Sequence, residues 1–424
     1  MQDWAGWLLL LFNFSIVLMW KHVRSDTKLV HAIWFCLVLH HAVAFLNAYV
    51  GPVIGADMDA CSFHKYAVDI SLLDDHVWDY ASFSSGRAVY TDCIGLFYRF
   101  IGSSILFGAE LSVLAFVLSC VVLVKLVDFL DLRRFRVGII LLFGLLPSAV
   151  ILMSVTLRES WQTLFFLLSV YWAIRLQKRP GILVLSFLLM SVICLAVLHV
   201  GLFWYALYLI LVSLCWGILG HKRKVSWTLP LRFLLAGSLV ACIIVLAQKM
   251  GWYVSVENVL DGADNFRQNA STIDGRTTYG IMLDTSSVLG LVKTIPVVIV
   301  YYMFAPFPWQ VENVVDIHAL LESMLRFALL LSALFSWRRS SGEVRSYYSF
   351  LFIVVLGLEL VWAIGTINWG TAIRHHVPGY SVIVLLGAPG LILFIRRLHF
   401  EMFGCRKVSR FQDREKFVKP DLIK

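Results

Sequence analysis

Apolar positions in this chain fall in long runs, and the polar positions are short interruptions between them. A helix needs about 20 apolar residues to cross a bilayer. Runs of roughly that kind lie at 4–20, 29–50, 102–124, 137–156, 160–174, 181–198, 200–219, 231–248, 286–305, 319–336, 347–366 and 378–395. The first has no basic segment before it and no small-residue cleavage site after it, so it is expected to stay as a helix. No internal repeat is evident, and a single integral membrane domain over 1–424 is expected, with no separate soluble domain at either end.

Composition agrees. The 424 residues are 60% hydrophobic, 14% aromatic and 15% charged, and mean hydropathy is +0.81. Soluble domains carry about 45–50% apolar and about 25% charged residues. A soluble enzyme, a nucleic-acid binder and a disordered chain are therefore excluded. The net charge of +9 does not point to nucleic acid, because the basic residues sit in short runs between apolar stretches.

Those runs give an orientation. Segments 21–28, 125–136, 175–179, 222–232, 338–345 and the tail 396–424 hold 26 of the 36 Lys and Arg. Cytoplasmic loops carry such an excess, which puts the N-terminus in the periplasm and the C-terminus in the cytoplasm of a bacterial inner membrane. Only one crossing then fits between residue 250 and segment 338–345, where two apolar runs compete. The run 286–305 contains Lys293 and Pro296 and ends in Ala305-Pro306-Phe307-Pro308-Trp309. Proline breaks the helical ladder, so this run is expected to be re-entrant or interfacial. The expected fold is an all-α polytopic membrane protein with about 11 transmembrane helices. Two sizeable periplasmic loops, 51–101 and 249–285, face the outside, and the tail 396–424 is cytoplasmic.

Candidate chemistry gathers on the outer side. Asp57 and Asp59 stand where the chain leaves the membrane, ahead of Cys61, Phe63, His64 and Tyr66. A carboxylate there suits a general base for an attacking hydroxyl, a pair suits a divalent cation, and either aspartate also suits a helix start. Asp74, Asp75 and Asp79 follow in the same loop. Arg158, in Thr156-Leu157-Arg158-Glu159-Ser160, lies between two apolar runs, where a guanidinium forks onto phosphate and Glu159 orients it. His199 interrupts a 40-residue apolar run at its outward turn, as a base, a donor to phosphate or a helix-junction residue. Arg374, His375 and His376 follow Trp369 just before the last run and suit an anionic sugar–phosphate. Arg267 and Arg276 in the second loop, with Trp309 and Trp369, are candidates for glycan contact. Within the spans lie Glu110, Glu359, and Glu322 with Arg326, the last two spaced for an i,i+4 ion pair.

Other signals are missing from the sequence. It has no H-E-x-x-H, no P-loop and no C-x-x-C among eight cysteines. Cys61 and Cys93 share the first outer loop and are candidates for a periplasmic disulfide.

With these residues placed, the chain resembles bacterial surface-polysaccharide polymerases of the Wzy and exopolysaccharide-polymerase type. The likeness rests on the Asp-containing first outer loop with Phe63-His64 and Tyr66, the Leu157-Arg158-Glu159 turn, and His199 opening a helical pair. The span pattern extends it over most of the chain. Such polymerases join repeat units carried on undecaprenyl diphosphate at the periplasmic face. The resemblance implies that Arg158 and Arg374, supported by His199, hold the lipid diphosphate. A second resemblance is to GT-C glycosyltransferases, which use a polyprenyl-phosphate sugar and have an essential acidic residue in the first outer loop, here Asp57 or Asp59. Tyr90, Gly95-Leu96-Phe97-Tyr98-Arg99-Phe100-Ile101-Gly102 and Pro306-Phe307-Pro308-Trp309 carry it. The chain departs from that group in having no Asp-Glu or Glu-Asp pair.

Both resemblances imply one chemical demand. Attack at an anomeric carbon expels a lipid phosphate, whose developing charge needs cations. Expected partners are an undecaprenyl-linked glycan, the lipid bilayer and other membrane proteins of polysaccharide assembly, with no nucleic acid. No cofactor and no metal ligand are expected, although the GT-C reading allows a divalent cation. A flippase for the same lipid-linked glycan is the alternative from another class. It would show pseudo-symmetry and polar residues at mid-span.

Overall fold

A computed structural model of the chain describes residues 3–53, 56–73, 86–219 and 277–403, apart from 282 and 285–287, with isolated positions at 237, 241 and 245. The expected span 231–248, most of the second loop and the tail beyond 403 lie outside these residues. The structure is 85% helix with no strand among the described residues; Thr278 and Asn368 form one isolated bridge.

The helices are α1 (Trp4–Ile16), α2 (Thr27–Tyr49), α3 (Asp57–Ser71), α4 (Arg87–Ile101), α5 (Ile105–Phe129), α6 (Arg136–Gly144), α7 (Pro147–Leu152), α8 (Glu159–Lys178), α9 (Ile182–Val197), α10 (Val200–Leu219), α11 (Val288–Phe304), α12 (Val314–Arg339), α13 (Gly342–Gly365) and α14 (Trp369–Phe403). Helices α2, α5, α12, α13 and α14 contain stretches long and apolar enough to cross a membrane. Large apolar side chains such as Leu11, Phe35, Met190, Leu321 and Phe335 are exposed on the outer faces. A surface of that kind fits a multi-pass membrane protein and not a soluble one. Helix α5 is central, packing against α1, α2 and α8.

Local chemistry sets the helix starts. Asp26 and Ser104 accept hydrogen bonds from the backbone N–H of Leu29 and Phe107 and so cap α2 and α5. Asn313 and Asp316 exchange bonds as a capping box at the start of α12. Helices α12 and α14 approach closely at Gly387. A Cβ there would stand 2.3 Å from the Leu329 carbonyl oxygen, and Ser332 Oγ donates to the Gly387 carbonyl at 2.8 Å.

Several expectations change. The run 137–156 is not one helix. Pro147 lacks an N–H and starts α7 after a break at Leu145 and Leu146. Side chains from other helices satisfy the freed backbone: His40 Nε2 donates to the Gly144 carbonyl at 3.2 Å, and the Ser148 N–H donates to Glu322 Oε1 at 2.7 Å. Broken helix persists in a membrane only with such partners. Glu322 also takes His318, four residues before it, at 2.9 Å. Arg326 turns instead to the Met303 carbonyl, so the expected Glu322–Arg326 pair is replaced.

The last helix begins at Trp369, nine residues before the expected 378, and runs through Pro378 and Pro389. Arg374, His375 and His376 are therefore helical residues rather than a turn. The segment expected as the first outer loop is also built. Helices α3 and α4 run side by side, with Arg87 against Phe63 and Tyr66, Gly95 against Ala67 and Ile70, and Arg99 Nη1 donating to the Leu73 carbonyl. Both cysteines are exposed free thiols. The expected disulfide is absent.

The run 286–305 forms α11, with Pro296 inside it. The chain before it folds back along it: the Asp284 N–H donates to Thr294 Oγ1, and the Tyr279 ring faces Tyr301 at 6.2 Å.

Candidate functional site

Sequence positions far apart meet at one end of the bundle. Glu159 opens α8, and its side chain is 3% exposed. Arg374, in the second turn of α14, donates to Glu159 Oε1 from Nε at 3.1 Å and from Nη2 at 2.5 Å. Its Nη1 pairs with Asp59 Oδ2, from the first turn of α3. One guanidinium thus ties α3 to α8 and α14. The side chain of Asp59 is 52% exposed, and its Oδ1 has no partner among the described residues. Position 57 opens α3, but its side chain lies outside what the structure describes.

Arg158 precedes Glu159 and turns the other way. Its Nη1 donates to the Leu198 carbonyl at 3.1 Å, beside His199, and its Nε is buried without a partner. The guanidinium stands 5.9 Å from the centre of the Phe63 ring. Arg87, the first residue of α4, stands 5.5 Å from the same ring and 4.0 Å from that of Tyr66. Arg87 is exposed and makes no ion pair among the described residues. Its placement depends on Gly86. That residue has φ +62°, and a Cβ there would approach Arg158 Nη1 to 3.3 Å. The Gly86 N–H also donates to the Val197 carbonyl at 2.6 Å.

Among the described residues three guanidinium groups therefore stand with two carboxylates. Buried polar atoms without a protein partner cluster around them: Glu159 Oε2, Thr156 Oγ1, Ser160 Oγ and Tyr90 OH. Buried polar groups are normally paired, so the cluster keeps unmet hydrogen-bonding capacity for both donors and acceptors.

His199 joins α9 to α10. Its Nδ1 accepts the Gly201 N–H at 3.0 Å, which fixes the neutral ring as the Nε2–H tautomer. Burial, helped by the Arg158 charge, pushes its pKa down to about 3. His199 is thus a donor near neutral pH rather than a base. Its ring meets Trp362 edge-on at 4.7 Å.

The other expected residues take different places. His375 stacks on Trp362 at 3.9 Å and bonds Thr366 Oγ1 at 2.8 Å. His376 is buried between Glu359, at 2.8 Å, and the Tyr302 carbonyl, at 2.9 Å. Both act as ties between helices, with their ring faces or nitrogens already engaged. Trp369 is 4% exposed and donates to Asp316 Oδ1 at 3.3 Å, so it is an anchor for α14 rather than an open glycan platform. Trp309 is 78% exposed and stacked on Phe307. Arg267, Arg276, Asp74, Asp75 and Asp79 lie outside the described residues. No group of three or more His, Cys, Asp or Glu arranged for a metal occurs among the described residues.

Arg87 is the residue the sequence did not single out. It stands 24 positions from Phe63 and 71 from Arg158, and no local pattern marks it. The glycine before it is the one available signal. No family model, no curated protein and no solved structure matches the chain.

Proposed function

We propose that the chain transfers glycan from an undecaprenyl phosphate or diphosphate carrier at the periplasmic face, most simply as a repeat-unit polymerase of surface-polysaccharide assembly. The observation that carries this reading is the convergence of Arg87, Arg158, Glu159, Arg374, Asp59 and His199. An isolated charge at membrane depth is costly, and among the described residues this cluster keeps more cations than anions. The topology that goes with it has about eleven crossings, with α11 re-entrant or interfacial, the N-terminus outside and the C-terminus inside.

In this reading Arg158 and Arg87 receive the phosphate oxygens, because Arg374 is already engaged by Asp59 and Glu159. The acceptor hydroxyl attacks the anomeric carbon and the bond from that carbon to the phosphate oxygen breaks. The hydroxyl proton passes to Asp59 Oδ1. The charge that develops on the leaving diphosphate is met by the two arginines and by His199 Nε2–H. Arg374 holds Asp59 in place, and His375 and His376 fix the turn that carries it.

The test is transfer in proteoliposomes with a lipid-diphosphate-linked repeat unit as substrate. Arg158→Ala and Arg87→Ala are expected to abolish transfer while the protein stays folded in the membrane. Arg→Lys is expected to restore little, because a point charge does not replace a bidentate fork. Full activity in the double alanine variant would sink the proposal. The carrier that accumulates on gene deletion separates polymerase from the GT-C reading: complete single repeat units support polymerase, and an incomplete unit supports a single-sugar transferase. Transport of an intact carrier with no new glycosidic bond would instead favour a flippase.

A further inference from the structure

Three of the six basic segments meet at the opposite end of the bundle. Lys125, near the end of α5, places its ammonium 4.5 Å from the centre of the Trp20 ring and 5.8 Å from that of Tyr171. Arg175, near the end of α8, stands 5.6 Å from Tyr171 and 5.9 Å from Trp172, and its Nη1 donates to Tyr171 OH at 2.8 Å. Aromatic faces hold both cations in position, as cation–π contacts do.

Among the described residues no carboxylate pairs with them. The nearby Asp128 is bonded by Arg136 Nε at 2.6 Å, and neither Lys125 nor Arg175 makes an ion pair among the described residues. Further polar atoms nearby are unfilled. Trp20 Nε1 and His22 Nε2 are buried without a partner. An indole N–H only donates and an ammonium only donates, so the set calls for an acceptor with negative charge. Beside it the chain exposes apolar side chains, Leu18 and the 70% exposed Met19. A soluble anion has no use for that surface, and an acyl chain does.

We infer that Lys125, Arg175 and the Trp20 N–H form a binding site for the phosphate of an anionic phospholipid. By the basic-segment count this is the inner leaflet. Its acyl chain lies along Leu18 and Met19. The site is separate from the chemistry proposed for the outer end and does not depend on it.

The full chain purified in detergent would be offered phosphatidylglycerol, phosphatidylcholine with the same acyl chains, and inorganic phosphate. Retention is read by native mass spectrometry and the shift in thermal unfolding by fluorescence. Phosphatidylglycerol is expected to bind about tenfold tighter than phosphatidylcholine, and phosphate alone is expected to give no shift. Lys125→Gln and Arg175→Gln are each expected to remove the preference. Trp20→Phe keeps the ring face and removes only the N–H, and is expected to weaken it severalfold. Lys125→Arg is expected to retain it, which keeps the test decisive if Lys125→Gln does not fold. Arg397→Gln, an exposed cation paired with Glu401, is expected to change nothing. Equal binding of the two lipids, equal binding of free phosphate, or an equal loss in Arg397→Gln would each overturn the assignment.

Discussion

Arg374→Met tests whether the clamp at the outer end holds the fold as well as serving the site. The substitution removes two charge-assisted bonds to Glu159 and the pair with Asp59. Glu159 is 3% exposed, and one of its oxygens already lacks a partner. Its carboxylate would be left buried with no cation bonded to it and only the Arg158 charge nearby, at a cost of up to about 3–5 kcal/mol. Asp59 is half in solvent and adds less than about 1 kcal/mol. Glu159→Gln alone leaves Arg374 with Asp59 and a neutral acceptor, at a cost of about 1–3 kcal/mol. The double variant Glu159→Gln/Arg374→Met removes both charges of the buried pair and leaves Arg158. It is expected to cost no more than the worse single change, a coupling of about 1–3 kcal/mol. The assay is chemical denaturation in mixed micelles followed by circular dichroism, run on all four members of the cycle. Strictly additive costs, or an Arg374→Met protein as stable as the parent, would refute the reasoning.

Further outcomes are expected. Arg87→Ala is expected to change stability by less than about 0.5 kcal/mol yet abolish binding of a lipid diphosphate measured by microscale thermophoresis; unchanged binding counts against a role for Arg87. His199, held near a pKa of 3 when folded against 6.5 when free, contributes a stability that is complete above about pH 6.5. That stability falls as pH drops toward 3 because only the unfolded chain takes the proton, by up to about 1.4 kcal/mol per unit. A His199→Gln protein with the same acid slope would contradict that. Glu322→Leu is expected to cost about 1–3 kcal/mol by orphaning the Ser148 N–H, whereas Glu322→Gln, which still accepts that bond, is expected to cost less; equal losses in denaturation midpoint would argue against the capping role. Cys61 and Cys93 are exposed free thiols. An impermeant maleimide is expected to label them from the periplasmic side while sparing a cysteine placed at Arg345, and the reverse pattern would invert the orientation.

Much of the outer site was legible because membrane cost makes each charge between apolar runs conspicuous. Arg158, Glu159, His199 and Arg374 stand out for that reason alone, and the basic segments put them on one side. Arg87 did not stand out, since its partners are aromatic rings in another helix. The pairing of Glu322 was misread from spacing, because i+4 and i−4 neighbours are equivalent on a helix and His318 takes the second. Proline misled twice in opposite senses. Pro147 breaks a helix that hydropathy reads as continuous, where His40 and Glu322 receive the loose ends. Pro378 does not break α14, whose start was therefore placed too late. In both cases the outcome is set by partners on other helices, which periodicity does not reveal.

Three adjacent residues of α14 dock on three different neighbours: Arg374 on Glu159 and Asp59, His375 on Trp362, His376 on Glu359 and the Tyr302 carbonyl. Each step along a helix turns the side chain by about 100°. The trio therefore acts as a key with three teeth, and it indexes both the rotation and the height of the helix. Adding or deleting one residue between Trp369 and Arg374 would misalign all three at once, whereas the surface turn before α13 could absorb the same change. The residues between Trp369 and Arg374 should accept substitutions one at a time but no change in length.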